Sequence, residues 1–395
     1  MNKSCILYYA IGLLTIFHLS IAKAEGTQNE LLGVWRGTLG QQEIVACWDH
    51  YGGNYYKLRK PLRIALNNTK NSDVWLENEW EKSEETISWQ LNKPIDKHLV
   101  GSQIQSSTGT TLPIMLNRIH SSVPEDDKEE CNFSGAVYEA FNTPRLKATQ
   151  IHYGDSTNFM NTKYRVINAL NGDIVSIELI GTKDSFTKAN SVLHKEFMND
   201  VLGYLTCDEF EPPRQGDYQS KIRLRFINNE WLSWSGHLEG YCGGAHPFFG
   251  SSTTTINLHT GDEINLWDWF NLVKKEENDQ ENQDDDVDSI AQVCEFLSNR
   301  CLPRPLSELV INTPASYEDK DCKDVDFQGM VDDGYSIGLN ERGIAFIPEL
   351  VEPARGMRTC YANYTIPFTK LAPFLSKKGA EAINQILLHS SDITK

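Results

Sequence analysis

Chemistry in this chain of 395 residues would start at Tyr241-Cys242-Gly243-Gly244-Ala245-His246-Pro247, where two glycines carry a histidine into a turn. A histidine acting as general base needs an oriented partner, and a zinc site needs at least three protein ligands at workable geometry. The nearest companions of His246 are His237 and His259, and the histidines show no HxH or HExxH spacing. The simpler role for His246 is to hydrogen-bond and pin the loop that follows two permissive glycines. It is therefore a binding candidate, and no catalytic residue is assigned. The run Asp284-Asp285-Asp286-Val287-Asp288 invites a calcium reading, because hard cations take oxygen ligands. It lacks the glycine and the distal glutamate of an EF-hand loop and reads as part of a solvated insertion over 274–288. Asp284, Asp285 and Asp286 thus stand as candidate contacts for a basic partner, with no metal and no cofactor. Trp267 and Trp269, in a short tryptophan-rich helix capped by Asn265, are read as exposed aromatics that a partner could meet. No GxSxG, P-loop, dinucleotide fingerprint or SxxK motif occurs, and carboxylates are too abundant for one glycosidase pair to stand out.

The elements that must position these residues belong to an exported protein. Lys3 precedes a mostly apolar stretch from Ile6 to Ile21, and Ala22-Lys23-Ala24 offers a small-x-small cleavage site, so residues 1–24 read as a signal peptide. No later segment approaches 18 consecutive apolar residues, which predicts no membrane span after cleavage. Eight cysteines follow the signal: Cys47, Cys131, Cys207, Cys242, Cys294, Cys301, Cys322 and Cys360. An even count in an oxidising compartment points to disulfides, and pairing neighbours keeps each loop inside one proposed unit. Formal net charge is −17, falling to −19 once the signal takes Lys3 and Lys23 with it. Such acidity disfavours nucleic acid and anionic membranes and favours basic partners, or simply solubility.

Residues 25–135 read as a tryptophan-rich β domain. Short strands fall at Leu32–Gly40, Glu43–Trp48, Val74–Trp80, Thr86–Leu91, Leu99–Ile104 and Leu112–Asn117, with partial alternation from Tyr55 to Leu66 and turn signals between them. Their even spacing predicts an antiparallel meander or a small barrel. Trp35, Trp48, Trp75, Trp80 and Trp89 are expected to fill its core, with a sugar-stacking groove as the rival role. A polar connection over 121–135 leads to a small β-β-helix domain at 145–205. There Asn171-Gly172-Asp173 marks a hairpin, and Ser185–Leu205 shows the clearest helical periodicity in the chain. Residues 206–395 then form an α+β domain, so the fold class is α+β, an N-terminal antiparallel β meander or small barrel followed by an α+β unit of antiparallel sheet packed by helices. Ile290–Leu297 and Glu381–Leu388 read as further helices, the latter on the surface.

Two stretches carry a family resemblance. Tyr241-x-Gly243-Gly244-Ala245-His246-Pro247, then Thr255-Ile256-Asn257-Leu258-x-Thr260-Gly261-x-Glu263-Ile264-x-Leu266 and the Trp/Phe helix, resemble the C-terminal domain of the RsiV anti-sigma factor and of PdaC peptidoglycan deacetylase. Leu339–Phe346 and Ile366–Leu371 look like that domain's last hairpin and strand. The resemblance covers about 145–375 and leaves 25–120 outside. It implies a bacterial, periplasmic or secreted protein, and a lysozyme-type partner, since RsiV senses lysozyme with this region. The chain departs from the pattern in having no sigma-binding segment and no deacetylase domain. The expected function is a non-catalytic envelope binding module for a protein (lysozyme or another basic protein) or a cell-wall glycan. The alternative is a cell-wall-active enzyme, a peptidoglycan hydrolase or deacetylase accessory, using His246.

Overall fold

A computed structural model gives the fold, and it describes residues 30–69, 73–77, 86–121, 131, 135–207, 218–242, 247–274, 293–295, 298–317, 331–350 and 362–390. The signal segment, Trp80, Cys322 and Cys360 lie outside those residues, as do Gly243 to His246 and the acidic run with Asp284, Asp285 and Asp286. The chain divides into two compact units, Met1–Gln150 with Val201–Arg214 and Cys242–Ala245, and Ile151–Asp200 with Gln215–Tyr241 and His246–Lys395.

In the first unit, eight antiparallel strands close into an up-and-down barrel. They are β1 (Gly33–Leu39), β2 (Gln42–Trp48), β3 (Gly53–Lys57), β4 (Lys60–Asn68), β5 (Val74–Glu77), β6 (Ile87–Leu91), β7 (His98–Gln105) and β8 (Thr111–Ser121). Alternation along the strands sends every second side chain inward. Trp35, Trp48, Trp75 and Trp89 are each fully buried there, with Tyr55, Leu99 and Ile114. The four tryptophans are therefore core rather than groove. Helix α1 (Ala136–Ala148) covers the outside of the barrel, packing Val137 and Phe141 against Val34, Val45 and Tyr56. The connection read over 121–135 thus leads straight into a helix that the sequence did not announce. The disulfide Cys47–Cys131 ties that region to β2, and Cys207–Cys242 lies within the same unit.

The second unit holds a six-stranded sheet in the order β14-β13-β12-β11-β10-β9. Its strands are β9 (His152–Phe159), β10 (Thr162–Ala169), β11 (Ile174–Leu179), β12 (Tyr218–Ile227), β13 (Trp231–Gly240) and β14 (Phe248–Asn257). Strand β11 pairs with β12 in parallel, Ile174 opposite Ser220, so one sheet runs through the region read as two domains. Helix α2 (Asp184–Thr206) spans the predicted periodic stretch. It buries Phe186, Ala189 and Leu193 against Ile177, Ile222, Leu232 and Trp234 of the sheet. Asn190 fixes its position by accepting from the Leu179 amide at 2.8 Å and donating to the Leu179 carbonyl at 2.9 Å.

After a short pair formed by β15 (Val273–Lys274) and β16 (Arg300–Cys301), the opposite face of the six-stranded sheet meets a further sheet, ordered β17 (Ser316–Tyr317), β20 (Ala362–Pro367), β19 (Gly343–Leu350), β18 (Val331–Asn340). Contact is close enough at Gly338 that a Cβ there would lie 2.5 Å from Thr253 Cγ2. The remaining core is closed by α3 (Arg304–Ile311), α4 (Phe368–Leu371) and α5 (Lys377–Ser390). Helix α5 is not a free surface helix, because Ala382, Ile383 and Ile386 are buried in this core. Cys294 and Glu295, read as helical, instead form isolated β-bridges, and Cys294 is disulfide-bonded to Cys301.

Candidate functional site

Three irregular pieces of backbone meet at one place in the second unit. Strands β9 and β10 are joined by Met160 and Asn161, whose φ angles are 46° and 63°. A two-residue turn with both φ positive matches the twist of a hairpin, and asparagine suits it. Methionine does so rarely, and here its side chain packs against the apolar clusters on both faces of the sheet. On β12 the pairing with β13 shifts register between Leu224 and Phe226, so Arg225 is the extra residue of a bulge. An inserted residue reverses the side-chain alternation. Leu224 accordingly packs on the α2 side and Phe226 on the side of the sheet of β17 to β20. The third piece is the tip of the β18–β19 hairpin, where Asn340 Oδ1 accepts from the amides of Arg342 and Gly343, both at 2.9 Å.

Between these pieces lie two clefts that share Glu341 and Arg342. One, about 210 Å³, is walled by Met160, Phe226, Pro367, Phe368, Ile386 and Leu387 and is largely apolar. The other, about 240 Å³, is bordered by Phe159, Leu224, Arg225, Ser316, Asn340, Asn363 and Thr365. Its polar wall is already ordered. Asn340 Nδ2 donates to Thr365 Oγ1 at 2.7 Å, Thr365 Oγ1 donates to Asn363 Oδ1 at 2.9 Å, and Arg225 Nε donates to Ser235 Oγ at 2.7 Å. Arg342 is 81% exposed, and its Nε lies 3.8 Å from Glu341 Oε1, a long and solvated ion pair. Either cleft alone falls below the ~300 Å³ of small-molecule sites; the pair, meeting at Glu341 and Arg342, is termed the trough below.

The residues singled out from the sequence do not gather at this trough. Trp267 and Trp269 are not exposed aromatics: they are 4% and 0% exposed. Trp269 packs edge-on against Trp231 with ring centroids 5.6 Å apart, and Trp267 similarly against Phe346 at 6.4 Å. Asn265 does cap the short helix before them, accepting from the Trp267 amide at 3.0 Å. His246, Asp284, Asp285 and Asp286 fall outside the described residues. His237 pairs with Glu239 at 3.3 Å and His259 with Glu230 at 3.2 Å. Among the described residues no group of three or more His, Cys, Asp or Glu is arranged to hold a metal ion. None of the helices among them is long and apolar enough to cross a membrane.

Titratable groups with shifted behaviour sit elsewhere, under α2. Burial pushes the Glu196 carboxyl up to about 7, opposed by the hydrogen bond from Trp234 and helped by the charges of Asp200 and Glu263. Burial also raises Asp200, which accepts from Ser220 Oγ at 2.6 Å, and it takes the Tyr218 phenol up to about 12. These groups stitch helix to sheet rather than face a cleft.

No protein-family model matches the chain, and no curated protein matches it. One similar solved structure is a member of the DUF3298 family from Bacteroides fragilis NCTC 9343, at 13% identity and a TM-score of 0.31 over 60% of this chain and 96% of that one. That neighbour is distant, and the likeness bears on neither the site nor its chemistry.

Proposed function

We propose that this protein is an exported, non-catalytic binding module of the cell envelope whose ligand lies in the trough along the β18–β19 hairpin tip. The carrying observation is the junction of an apolar and a polar cleft at Glu341 and Arg342, built where a hairpin turn, a bulge and a second hairpin tip converge. Bulges recur where a strand must re-aim a side chain next to a site. Three disulfides fit an oxidising compartment. The resemblance of Tyr241–Leu266 and Leu339–Leu371 to the RsiV C-terminal domain supports a ligand drawn from the envelope, either a protein or a cell-wall component.

Hydrogen exchange of the full chain tests this with two additions, a lysozyme and soluble peptidoglycan fragments. Slowed exchange confined to Asn340–Gly343 and β20 is the expected result. Protection elsewhere, or none with either addition, overturns the trough as the binding site. A basic protein partner is favoured independently by the net charge of −17. Retention of lysozyme at low salt and its release at about 0.5 M salt would follow from screening. The catalytic alternative predicts new fragments from digested peptidoglycan, lost on His246→Ala.

A further inference from the structure

We infer that the trough takes a carboxylate joined to an apolar chain, with the chain beside Phe226 and Phe368 and the carboxylate against Arg342. The inference rests on the trough being the binding site proposed above, and three features of its walls give the ligand its chemistry.

The first is the contrast between the clefts. Met160, Phe226, Phe368 and Leu387 give one of them a mainly apolar lining, with Asn228 and Thr369 as its uncharged polar residues, while Arg225, Asn363 and Thr365 border the other. A chain lying in the first cleft must be apolar, because a polar group buried against phenylalanine without a partner is unfavourable, while its end at Glu341 and Arg342 can be polar. The second is the position of Arg342. It lines both clefts, so it stands where the apolar part of the ligand gives way to the polar part. Its backbone is pinned by Asn340, and its exposed guanidinium is only loosely paired with Glu341. An exposed ion pair of that length holds little free energy, so a ligand carboxylate can replace Glu341 at small cost. A guanidinium also presents a planar fork that receives both oxygens of a carboxylate.

The third is local sign. The chain carries −17, yet the charged side chains among the described lining residues are Arg225, Arg342 and Glu341. A cationic head would meet two like charges at contact, and a neutral head would leave the fork unused. An anionic head is drawn by contact and not by long-range steering, which the net charge opposes. A free aliphatic acid and the C-terminal residue of an apolar peptide share this chemistry, and the probes below separate the two sources.

The test is calorimetric titration of the full chain with octanoate, octan-1-ol and octylamine, and with N-acetyl-alanyl-leucine and its C-terminal amide. Wild type is compared with Arg342→Ala and Leu387→Ser, each checked for an unchanged thermal transition. Both substitutions fall on residues that are not fully buried. The expected result is that at least one acid binds saturably and on the order of tenfold more tightly than its neutral counterpart. Arg342→Ala abolishes that preference, and Leu387→Ser weakens acid and neutral probes alike. Equal binding of acid and neutral probes, a preference that survives Arg342→Ala, or no binding of either acid overturns the inference. If both acids fail while an envelope component still protects Asn340–Gly343 from exchange, the ligand class is wrong and the trough stands. If neither effect is found, both readings fall.

Discussion

Trp234 donates its indole N–H to Glu196 Oε2 across 2.9 Å, and this bond joins helix α2 to the sheet beneath it. The acceptor is poorly solvated, and the other charges acting on it are those of Asp200 and Glu263, both acidic. Folding therefore strengthens proton binding at Glu196, raising its pKa from the ordinary 4.5 to about 7. The sign follows from linkage. The folded state binds more protons than the unfolded state, so the stability this group lends is complete below about pH 4.5 and is lost as pH rises toward 7. Asp200 is raised as well and adds to the same trend. Discounted for its partial solvent contact, the Glu196 effect is on the order of 1–2 kcal/mol. Thermal melts should give a higher Tm at pH 5.5 than at pH 8, and Glu196→Gln should flatten the difference. A Tm that rises with pH in wild type would refute this.

In the barrel, Glu77 Oε1 collects three donors: Tyr55 Oη at 2.8 Å, Trp89 Nε1 at 2.8 Å and Gln103 Nε2. Burial, and then the Glu77 charge, drive the Tyr55 phenol far above its ordinary range, so it remains a donor. Glu77→Ala strands all three and should cost about 2–4 kcal/mol, since each buried orphan costs roughly 1–3 kcal/mol and part of the site reaches water. Glu77→Gln keeps an acceptor oxygen and should cost much less. Denaturant unfolding followed by tryptophan emission separates the two. Equal losses would show that the charge, not the acceptor, is what matters.

These two clusters mark how far the sequence reaches. The barrel is legible because its strands recur with turn signals between them and its tryptophans fall on inward positions. Helix α2 is legible because Phe186, Leu193, Phe197 and Val201 keep a helical period over about four turns. Helix α1 is hidden by Pro144 inside it and by the polar run before it. The burial of Trp267 and Trp269 could not be read locally, because Asp268 between them and Asn265 and Asn271 around them mark the segment as polar as much as Leu266 and Phe270 mark it as apolar. What covers them comes from Phe346 and from α5, roughly a hundred residues later. The trough is the extreme case, assembled from segments between Phe159 and Leu387 with no shared motif. Its one local signal is the break in alternation at Leu224-Arg225-Phe226.

The cysteine reading can be tested by size. Cys47–Cys131 spans 84 residues and Cys294–Cys301 spans 7. If disulfides act mainly by restricting the unfolded chain, removing the first costs about 4–5 kcal/mol and the second about 2 kcal/mol. Paired Cys→Ala replacements, compared by denaturant midpoint at constant slope, give both numbers. Similar losses for the two pairs would mean that native-state contacts, such as the Cys131 amide on Asp49 Oδ2 at 3.2 Å, dominate instead.

Arg145 is a buried cation that holds backbone oxygens. It is 1% exposed. Its Nε donates to the Pro61 carbonyl at 2.9 Å, its Nη2 to the Leu205 carbonyl at 2.6 Å, and its Nη1 to Asn142 Oδ1 at 3.2 Å. Leu205 lies in the last turn of α2, where carbonyls lack helical partners and carry the negative end of the helix dipole. The guanidinium also sits over the Tyr56 ring, 5.2 Å from its centroid, while Tyr56 Oη donates to the Phe141 carbonyl at 2.6 Å. One side chain thus satisfies acceptors from β4, α1 and α2 together. Arg145→Met keeps most of the volume but removes every donor, and it should destabilise the first unit by about 3 kcal/mol. Arg145→Lys should recover little, because a single ammonium cannot reproduce a planar fork aimed at three separated oxygens. Calorimetric unfolding of the two variants decides this. If lysine restores the wild-type transition, the site needs only a charge and the geometric account fails.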